Sequence, residues 1–282
     1  MKSLAAILAF AMAAAFARVE AADDGTVAQH RVSPQGYFEI TADPGVRRGS
    51  PAWATAARPS AQPVKVLLIG DSLSFGTFGE TLEGLLRRQY GAANICVYAS
   101  CGSSPEHWIK DGPLFMTPCG YRESTPRGTW KEDFSKGQRP RPVPTPKIPD
   151  ILAKFSPHTV VVQLGTNWMD GLSSASVEHS EKYKGYVRQF IKELRVGSSP
   201  PKRIVWILPP DASKYSQGVK EMVDRWITEC AREAGFSTIV SRRITGTYQP
   251  GKTGGDGVHY GDSAAEQWAK MVNWMLYAYG PD

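Results

Sequence analysis

Short apolar runs alternate with amphipathic segments from residue 64 to the end of the chain. The first run, residues 64–69, is continuous and rich in β-branched side chains, which is typical of a strand buried on both faces. Similar runs occupy residues 94–99, 158–164, 203–208 and 236–240, with helical spacing of apolar positions at 78–90, 183–194, 219–230 and 264–275. This alternation predicts a doubly wound, parallel five-stranded sheet between two layers of helices, a flavodoxin-like three-layer α/β/α sandwich.

Two segments depart from this alternation. Residues 22–62 show little periodicity and many Ala, Pro, Gly, Arg and Ser residues, which predicts a mostly extended N-terminal arm and linker, with a short strand favoured within 36–41. The segment from about 103 to 146 is long and has few periodic apolar positions, so we interpret it as a loop insertion. Because it follows the second strand, we expect it to lie over the same sheet edge as the first strand–helix loop.

The first 21 residues have the pattern of a secretory signal peptide. Lys2 precedes an apolar, alanine-rich run over residues 4–16, and small residues follow at a candidate cleavage site. The run is too short for a membrane span, which needs about 20 apolar residues. We expect export to the periplasm or the exterior after cleavage behind Ala21, or alternatively Ala17. A retained N-terminal anchor is the other interpretation.

The net charge bears on the class of partner, and the length bears on the number of domains. The net charge of +6 becomes +5 when Lys2, Arg18 and Glu20 leave with the predicted signal peptide. No block of lysines and arginines is present, so we expect no nucleic-acid partner. The remaining chain fits one large α/β domain at residues 63–282. These features make no prediction about the oligomeric state.

Four cysteines in an exported chain make disulfides possible. Cys101 and Cys119 both fall in the loop-like region and are the better candidate pair. Cys96 lies in a predicted strand and Cys230 on the apolar face of a predicted helix, so we interpret both as small buried hydrophobes. No C-x-x-C motif or His/Cys pairing indicates a metal site.

The glycines after the first strand do not form a nucleotide-binding motif. Gly70, Gly76 and Gly79 have the wrong first interval for G-x-G-x-x-G, and the Gly-Lys-Ser/Thr of a P-loop is missing. The G-x-S-x-G turn of α/β-hydrolases also fails, because Ser74 stands where its second glycine should be. We therefore expect no cofactor.

Polar residues and glycines follow the carboxyl ends of four predicted strands. Ser72 follows the first strand, Gly102 the second and Asn167 the third, and Asp256 and His259 come after the fifth. In a parallel sheet these ends meet at one edge, where ligands bind. Acyl transfer needs such a set: a nucleophile, a base, an acid that orients the base, and donors for the oxyanion.

Three of these motifs resemble the blocks of the SGNH, or GDSL, hydrolases, and Gly102 is a candidate for the family's glycine block. "GDSLSFG" at residues 70–76 resembles the first block, "GTN" at 165–167 the third, and "DGVH" at 256–259 the D-x-x-H block. The resemblance extends from about residue 64 to the C-terminus, with the order and spacing of the family. The glycine block around Gly102 is the least specific of the four.

The resemblance implies a role for each matching residue. Ser72 is the nucleophile and its backbone N–H is one oxyanion donor. Gly102 supplies a second N–H, and Asn167 donates through its side-chain amide. His259 is the general base, and Asp256 orients it.

Neighbouring residues receive other interpretations. Asp71 belongs to the first block but not to the triad, so we expect it to form structural hydrogen bonds, and we expect Ser74 to be a helix-start or turn residue. Sugar rings often stack on aromatic side chains, and several lie near the proposed site in sequence. The candidate substrate contacts are Trp168, His107, Trp108 and Tyr260.

These features predict an exported serine esterase that removes O-acyl groups, above all O-acetyl, from a carbohydrate or cell-envelope glycan. One alternative keeps the chemistry but transfers the acetyl group to an extracellular polysaccharide. A lipase or thioesterase is a third candidate, although no extended apolar lid is evident. A non-catalytic glycan-binding module is the alternative from a different class.

Overall fold

The computed structural model describes residues 63–134, 143–197 and 199–278, together with the strands at 31–32 and 38–39. The predicted signal peptide and most of the predicted arm lie outside the described residues. The chain divides into two compact units, residues 1–56 and 57–282. In the first unit, Arg31–Val32 (β1) pairs antiparallel with Phe38–Glu39 (β2), which falls within the segment for which a short strand was favoured.

The second unit contains a seven-stranded mixed sheet. Five strands run parallel: Val66–Gly70 (β3), Ile95–Ser100 (β4), Thr159–Gln163 (β7), Arg203–Ile207 (β8) and Ser237–Ile239 (β9). Gly120–Thr125 (β5) and Gly128–Asp133 (β6) form a hairpin that pairs antiparallel with β4. The strand order is β6-β5-β4-β3-β7-β8-β9, so all five predicted strands form, but the predicted count is too low by two.

The β5–β6 hairpin lies inside the segment that we predicted to be a loop. The pattern of apolar and polar residues does not reveal this hairpin, because β6 is exposed over its first four residues. In β5 the buried positions include the charged Arg122 and the polar Ser124 beside the apolar Tyr121. Arg122 is tolerated there because its guanidinium forms an ion pair with Glu83 and donates to the carbonyl of Ser74. A strand whose buried charge is compensated by a distant residue shows no apolar alternation.

Helices cover both faces of the sheet. Thr77–Tyr90 (α2) and Asp262–Ala278 (α7) share a core with Val66 and Leu68, whereas Leu67 and Ile69 point to the opposite core. On that opposite face lie Ile148–Lys154 (α3), Ser180–Leu194 (α4) and Gln217–Ala234 (α5). Ser72–Phe75 (α1) and Ser241–Thr245 (α6) are short. The protein is therefore a three-layer α/β/α sandwich.

The order of the parallel strands, β4-β3-β7-β8-β9, is doubly wound and reverses between β3 and β7. Ligands of such sheets bind at that reversal, outside the carboxyl ends of the strands. The loops after β3 and β7 carry Ser72 and Asn167. The topology thus predicts a ligand site at the same edge of the sheet as the sequence motifs do.

Within the described ranges, none of the helices combines the length and apolarity needed to cross a bilayer.

Candidate active site

Ser72, His259 and Asp256 form one chain of hydrogen bonds. The Oγ of Ser72, at the start of α1, lies 2.8 Å from Nε2 of His259. The Nδ1 of the same ring lies 2.5 Å from Oδ2 of Asp256. Residues 187 positions apart in the sequence thus meet at the carboxyl end of β3. This is the arrangement in which an imidazole accepts a proton from a nucleophilic hydroxyl.

The spacing of Asp256 and His259 has a local cause. Oδ1 of Asp256 accepts the backbone N–H groups of Val258, at 2.9 Å, and His259, at 2.7 Å. Gly257, between them, has φ +86°, a region that glycine adopts without strain. One carboxylate oxygen therefore holds the turn while the other binds the imidazole, so the pair is built by four consecutive residues.

The electrostatics of this pair determine which nitrogen of the imidazole carries the proton. Partial burial acts to raise the pKa of Asp256, but hydrogen bonds from the His259 ring and from two backbone N–H groups outweigh it and lower the pKa to about 2. Asp256 is thus a carboxylate at neutral pH, and it accepts a hydrogen bond from the Nδ1–H of His259. In the neutral ring this leaves Nε2 as an acceptor for the Ser72 hydroxyl.

A buried tyrosine supports the loop of His259. The hydroxyl of Tyr248 donates to the carbonyl of His259, at 3.0 Å, and accepts from the N–H of Gly257, at 3.2 Å. Gly254 allows this approach, because a Cβ there would lie 2.1 Å from the tyrosine oxygen and 2.0 Å from the His259 carbonyl. The phenol therefore fixes the backbone from which the imidazole projects.

Tyr248 is held in turn by Asp211, which follows β8. Oδ2 of Asp211 accepts the N–H of Tyr248 at 2.6 Å, and Oδ1 binds Nζ of buried Lys220 at 2.5 Å. Burial acts to raise the pKa of Asp211, but Lys220 and the Tyr248 N–H lower it overall. The sequence does not predict this support, although Asp211 follows the carboxyl end of a parallel strand, as the other site residues do.

Gly102 and Asn167, two of the candidate oxyanion donors, lie on loops that are joined by a hydrogen bond. Gly102 follows β4 with φ +81°, and Asn167 lies in the 3₁₀ helix Thr166–Gly171 after β7. Nδ2 of Asn167 donates to the carbonyl of Ser103 at 2.8 Å, which joins the two loops. The residue before Gly102, Cys101, forms a disulfide with Cys119, with their Cα atoms 5.5 Å apart. An amide nitrogen carries two protons, so Asn167 retains a second donor.

The other residues of the first motif are buried and structural. Oδ1 of Asp71 accepts the N–H of Leu73 at 3.0 Å and caps α1. The hydroxyl of Ser74 donates to Oε1 of Gln163 at 2.8 Å. Gly70 is needed above it, because a Cβ at Gly70 would lie 2.0 Å from that hydroxyl. Neither Asp71 nor Ser74 contacts the His259 ring in the way that Asp256 and Ser72 do.

The predicted substrate contacts lie in different surroundings. A cavity of about 450 Å³ beside Gly102 and Asn167 is lined in part by His107 and Trp168. Trp108 is fully buried, and its indole N–H donates to the hydroxyl of Ser103 at 3.0 Å. We therefore withdraw Trp108 as a substrate contact, because it packs beneath the glycine loop.

The fourth predicted contact, Tyr260, is half-buried. Its hydroxyl donates to the carbonyl of Asp211 at 2.8 Å. It is not among the residues that line the cavity beside Gly102. Tyr260 therefore helps to hold the end of the His259 loop on the segment after β8.

The two remaining cysteines, Cys96 and Cys230, are both buried and free. Burial raises the pKa of the Cys96 thiol to about 12 and that of Cys230 to about 11. Both are thiols rather than thiolates at neutral pH, as expected for cysteines that pack as small hydrophobes.

No protein-family model matches the chain, and no curated protein matches it. Among solved structures, it is similar to a lipase/acylhydrolase from Enterococcus faecalis, with 15% identity, 76% of this chain and 96% of that chain covered, and a TM-score of 0.47. It is also similar to an acetylxylan esterase from Geobacillus stearothermophilus, with 16% identity, coverage of 78% and 95%, and a TM-score of 0.47. A carbohydrate acetylesterase family member from Sinorhizobium meliloti has 15% identity, coverage of 76% and 98%, and a TM-score of 0.48. Similarity at this level adds no argument about activity.

Proposed function

We propose that this chain is a serine esterase of the SGNH type. The observation that carries the proposal is the hydrogen-bond chain from Ser72 through His259 to Asp256. A chance cluster of surface polar residues would not be expected to place an imidazole between a hydroxyl at 2.8 Å and a carboxylate at 2.5 Å, with the loop of that imidazole anchored by a buried tyrosine.

In the proposed reaction, Nε2 of His259 takes the hydroxyl proton as Oγ of Ser72 attacks the ester carbonyl carbon. The carbonyl oxygen becomes an oxyanion that accepts hydrogen bonds from the N–H groups of Ser72 and Gly102 and from the Asn167 amide. The tetrahedral intermediate then collapses, and His259 returns the proton to the leaving alcohol. A water activated by His259 hydrolyses the acyl-enzyme and releases the carboxylic acid.

The proposed substrate is an O-acetyl ester of a carbohydrate, outside the cytoplasm. The signal-like N-terminal pattern supports export, and the disulfide Cys101–Cys119 suits an oxidising compartment. The cavity beside Gly102 combines aromatic and polar walls, as sugar sites do. These observations favour a glycan over a lipid.

The test is esterase activity on p-nitrophenyl acetate, with Ser72→Ala beside the wild type. We expect the variant to lose at least about 10³-fold in kcat, because triad nucleophiles are costly to remove. Ser263→Ala, an exposed serine at the start of α7, is the matched control and should retain wild-type activity. Equal rates for Ser72→Ala and wild type would refute the nucleophile.

The same preparation separates hydrolysis from transfer. An acetylated glycan is supplied with and without an unacetylated glycan acceptor, and the products are identified by mass spectrometry. Free acetate in both cases supports the esterase. Acetylated acceptor in its place would show a transferase, and glycan binding without turnover would show a binding module.

A further inference from the structure

The cavity beside Gly102 and Asn167 is much larger than the acetyl group of the proposed substrate. Its volume of about 450 Å³ lies within the roughly 300–1,000 Å³ that is usual for small-molecule sites. Because Gly102 and Asn167 are also the proposed oxyanion donors, a molecule in the cavity would adjoin the ester carbonyl. The cavity therefore holds either the acyl chain or the alcohol half of the ester.

One wall of the cavity is a rigid aromatic cluster. Trp168, Tyr183 and Tyr186 line it. The rings of Trp168 and Tyr183 meet edge to face at 5.0 Å, and Tyr183 stacks on buried Trp226 at 5.0 Å. Ring surfaces fixed in this way suit the apolar faces of a pyranose and need no ordering when a ligand binds.

Polar groups on the other walls supply an acceptor and a donor. Oε2 of Glu106 accepts the indole N–H of Trp168 at 2.8 Å, which orients the carboxyl group, and burial raises the pKa of this carboxyl. The remaining lone pairs of its oxygens can accept a ligand hydroxyl. His107 presents a neutral ring at pH 7, because burial and the nearby Lys147 ammonium lower its pKa to about 4. Its Nδ1 accepts the N–H of Ser104 at 2.9 Å, so its own proton lies on Nε2.

The same groups disfavour an acyl chain. Methylene groups packed against Glu106 would strip water from a carboxyl group without replacing its hydrogen bonds. A hydroxyl can donate to Glu106 and accept from His107, so a sugar compensates for the desolvation of both. Asp170, also at the cavity, is already paired with Lys214 at 2.5 Å and with the Tyr215 hydroxyl at 3.0 Å.

We infer that this cavity is the subsite for a neutral, hydroxyl-rich pyranose of the alcohol half of the ester, and that Glu106 is its specificity-determining residue. The inference rests on the proposed esterase function, which it extends by assigning the alcohol half to this cavity. In this proposal Glu106 determines which alcohol the enzyme prefers, whereas Ser72 is required for the cleavage of every ester.

The test measures selectivity rather than activity. The probes are the monoacetates of methyl glucopyranoside and methyl xylopyranoside, against butyl acetate, which carries the same ester without hydroxyls. We expect Glu106→Gln to lower the ratio of kcat/KM for the best sugar acetate over butyl acetate by about tenfold. The Trp168 N–H then binds the amide oxygen, and an amide N–H₂ donor replaces the carboxyl oxygen that would accept the sugar hydroxyl. Glu132→Gln is the matched control, since Glu132 also accepts a tryptophan N–H, from exposed Trp130 at 2.8 Å, but outside the cavity.

A second variant guards against a folding defect. Lys182→Ala removes an exposed residue that lines the cavity and should lower the same ratio by about fivefold. Unchanged ratios in both variants would overturn the subsite, as would a wild type whose kcat/KM for p-nitrophenyl octanoate exceeds that for p-nitrophenyl acetate. Butyl acetate turnover that survives Ser72→Ala would instead refute Ser72 as the nucleophile, and with it the proposed function on which the subsite rests.

Discussion

Asp71 and Asp256 are two carboxyl groups close to the same serine, and their surroundings drive their pKa values apart. Burial raises the pKa of Asp71 to about 7. Asp256, partly exposed and bound by His259 and two backbone N–H groups, has a pKa of about 2. At neutral pH the exposed carboxyl is thus fully ionised and the buried one only partly so. Sequence adjacency to Ser72 favours Asp71, whereas the hydrogen bond to His259 favours Asp256 as the proposed acid.

This difference makes the stability of the fold depend on Asp71. Its pKa is 3.8 when exposed and about 7 when folded, so between these values the unfolded chain releases a proton that the folded protein keeps. Stability from this group is therefore complete below about pH 4 and is lost as the pH rises to 7. Asp71→Asn cannot titrate, and its asparagine oxygen can still accept the Leu73 N–H.

We therefore expect the free energy of unfolding of Asp71→Asn to rise relative to wild type by roughly 2 to 4 kcal/mol between pH 4 and pH 7. Urea unfolding of both proteins across this range measures the difference. Asp150→Asn, on the exposed first turn of α3, should show no such trend. A wild type and an Asp71→Asn variant that stay parallel with pH would contradict the expectation.

Sequence reasoning at this scale works where chemistry is local. The pairing of Asp256 with His259 depends on a four-residue turn, so its spacing is visible in the chain. Tyr248 and Lys220 support that turn from 8 and 36 positions before Asp256, and nothing in their residue types identifies them as supports. Trp108 is misassigned because it directly follows the 3₁₀ helix Pro105–His107, where neighbouring side chains point in different directions and only packing decides which one is buried.

At the scale of elements, ion pairs and hydrogen bonds attach the β5–β6 hairpin to α2. Glu83 on α2 binds Arg122, accepts the Ser124 hydroxyl at 2.6 Å and pairs with Arg87 at 2.7 Å. Burial acts to raise the pKa of Glu83, but Ser124 and the two guanidinium groups lower it overall. The carboxylate therefore compensates a buried cation.

We expect Glu83→Gln to lower the free energy of unfolding by about 3 kcal/mol, because it leaves the buried Arg122 without its counter-charge. Chemical denaturation measures the loss. The matched control is Glu80→Gln, one turn earlier on α2, where Glu80 pairs with Lys131 of β6 in a largely exposed bridge at 2.6 Å. That bridge should contribute less than about 1 kcal/mol. Equal losses at the two sites would show that burial does not distinguish them.

The five parallel strands were predictable because each is an apolar run buried on both faces. The hairpin was not, since its stability depends on a residue about 40 positions earlier in the chain. Apolar periodicity detects elements whose buried side chains are apolar. It misses elements whose buried charges are paired with a residue of another element.

For the whole molecule, the disulfide between Cys101 and Cys119 links the sheet edge to the glycine loop. It closes a loop of 18 residues, for which chain entropy predicts about 3 kcal/mol of stabilisation. We expect Cys101→Ala/Cys119→Ala to lose about that amount in guanidinium unfolding. A reductant should destabilise the wild type similarly and leave the double variant unchanged. Wild-type stability that is indifferent to reductant would contradict this.

The distance in sequence between Ser72 and His259 means that the two residues are synthesised at different times. At 5–20 residues per second, a ribosome needs roughly 10 to 40 s to add the 187 residues that separate the hydroxyl from its imidazole. The two ends are then joined by contacts just beyond each: Thr77 with Asp262 at 2.5 Å, and Phe78 stacked on Trp268 at 3.6 Å. In the proposed mechanism, Ser72 therefore gains its base only after α7 is made and packs on α2.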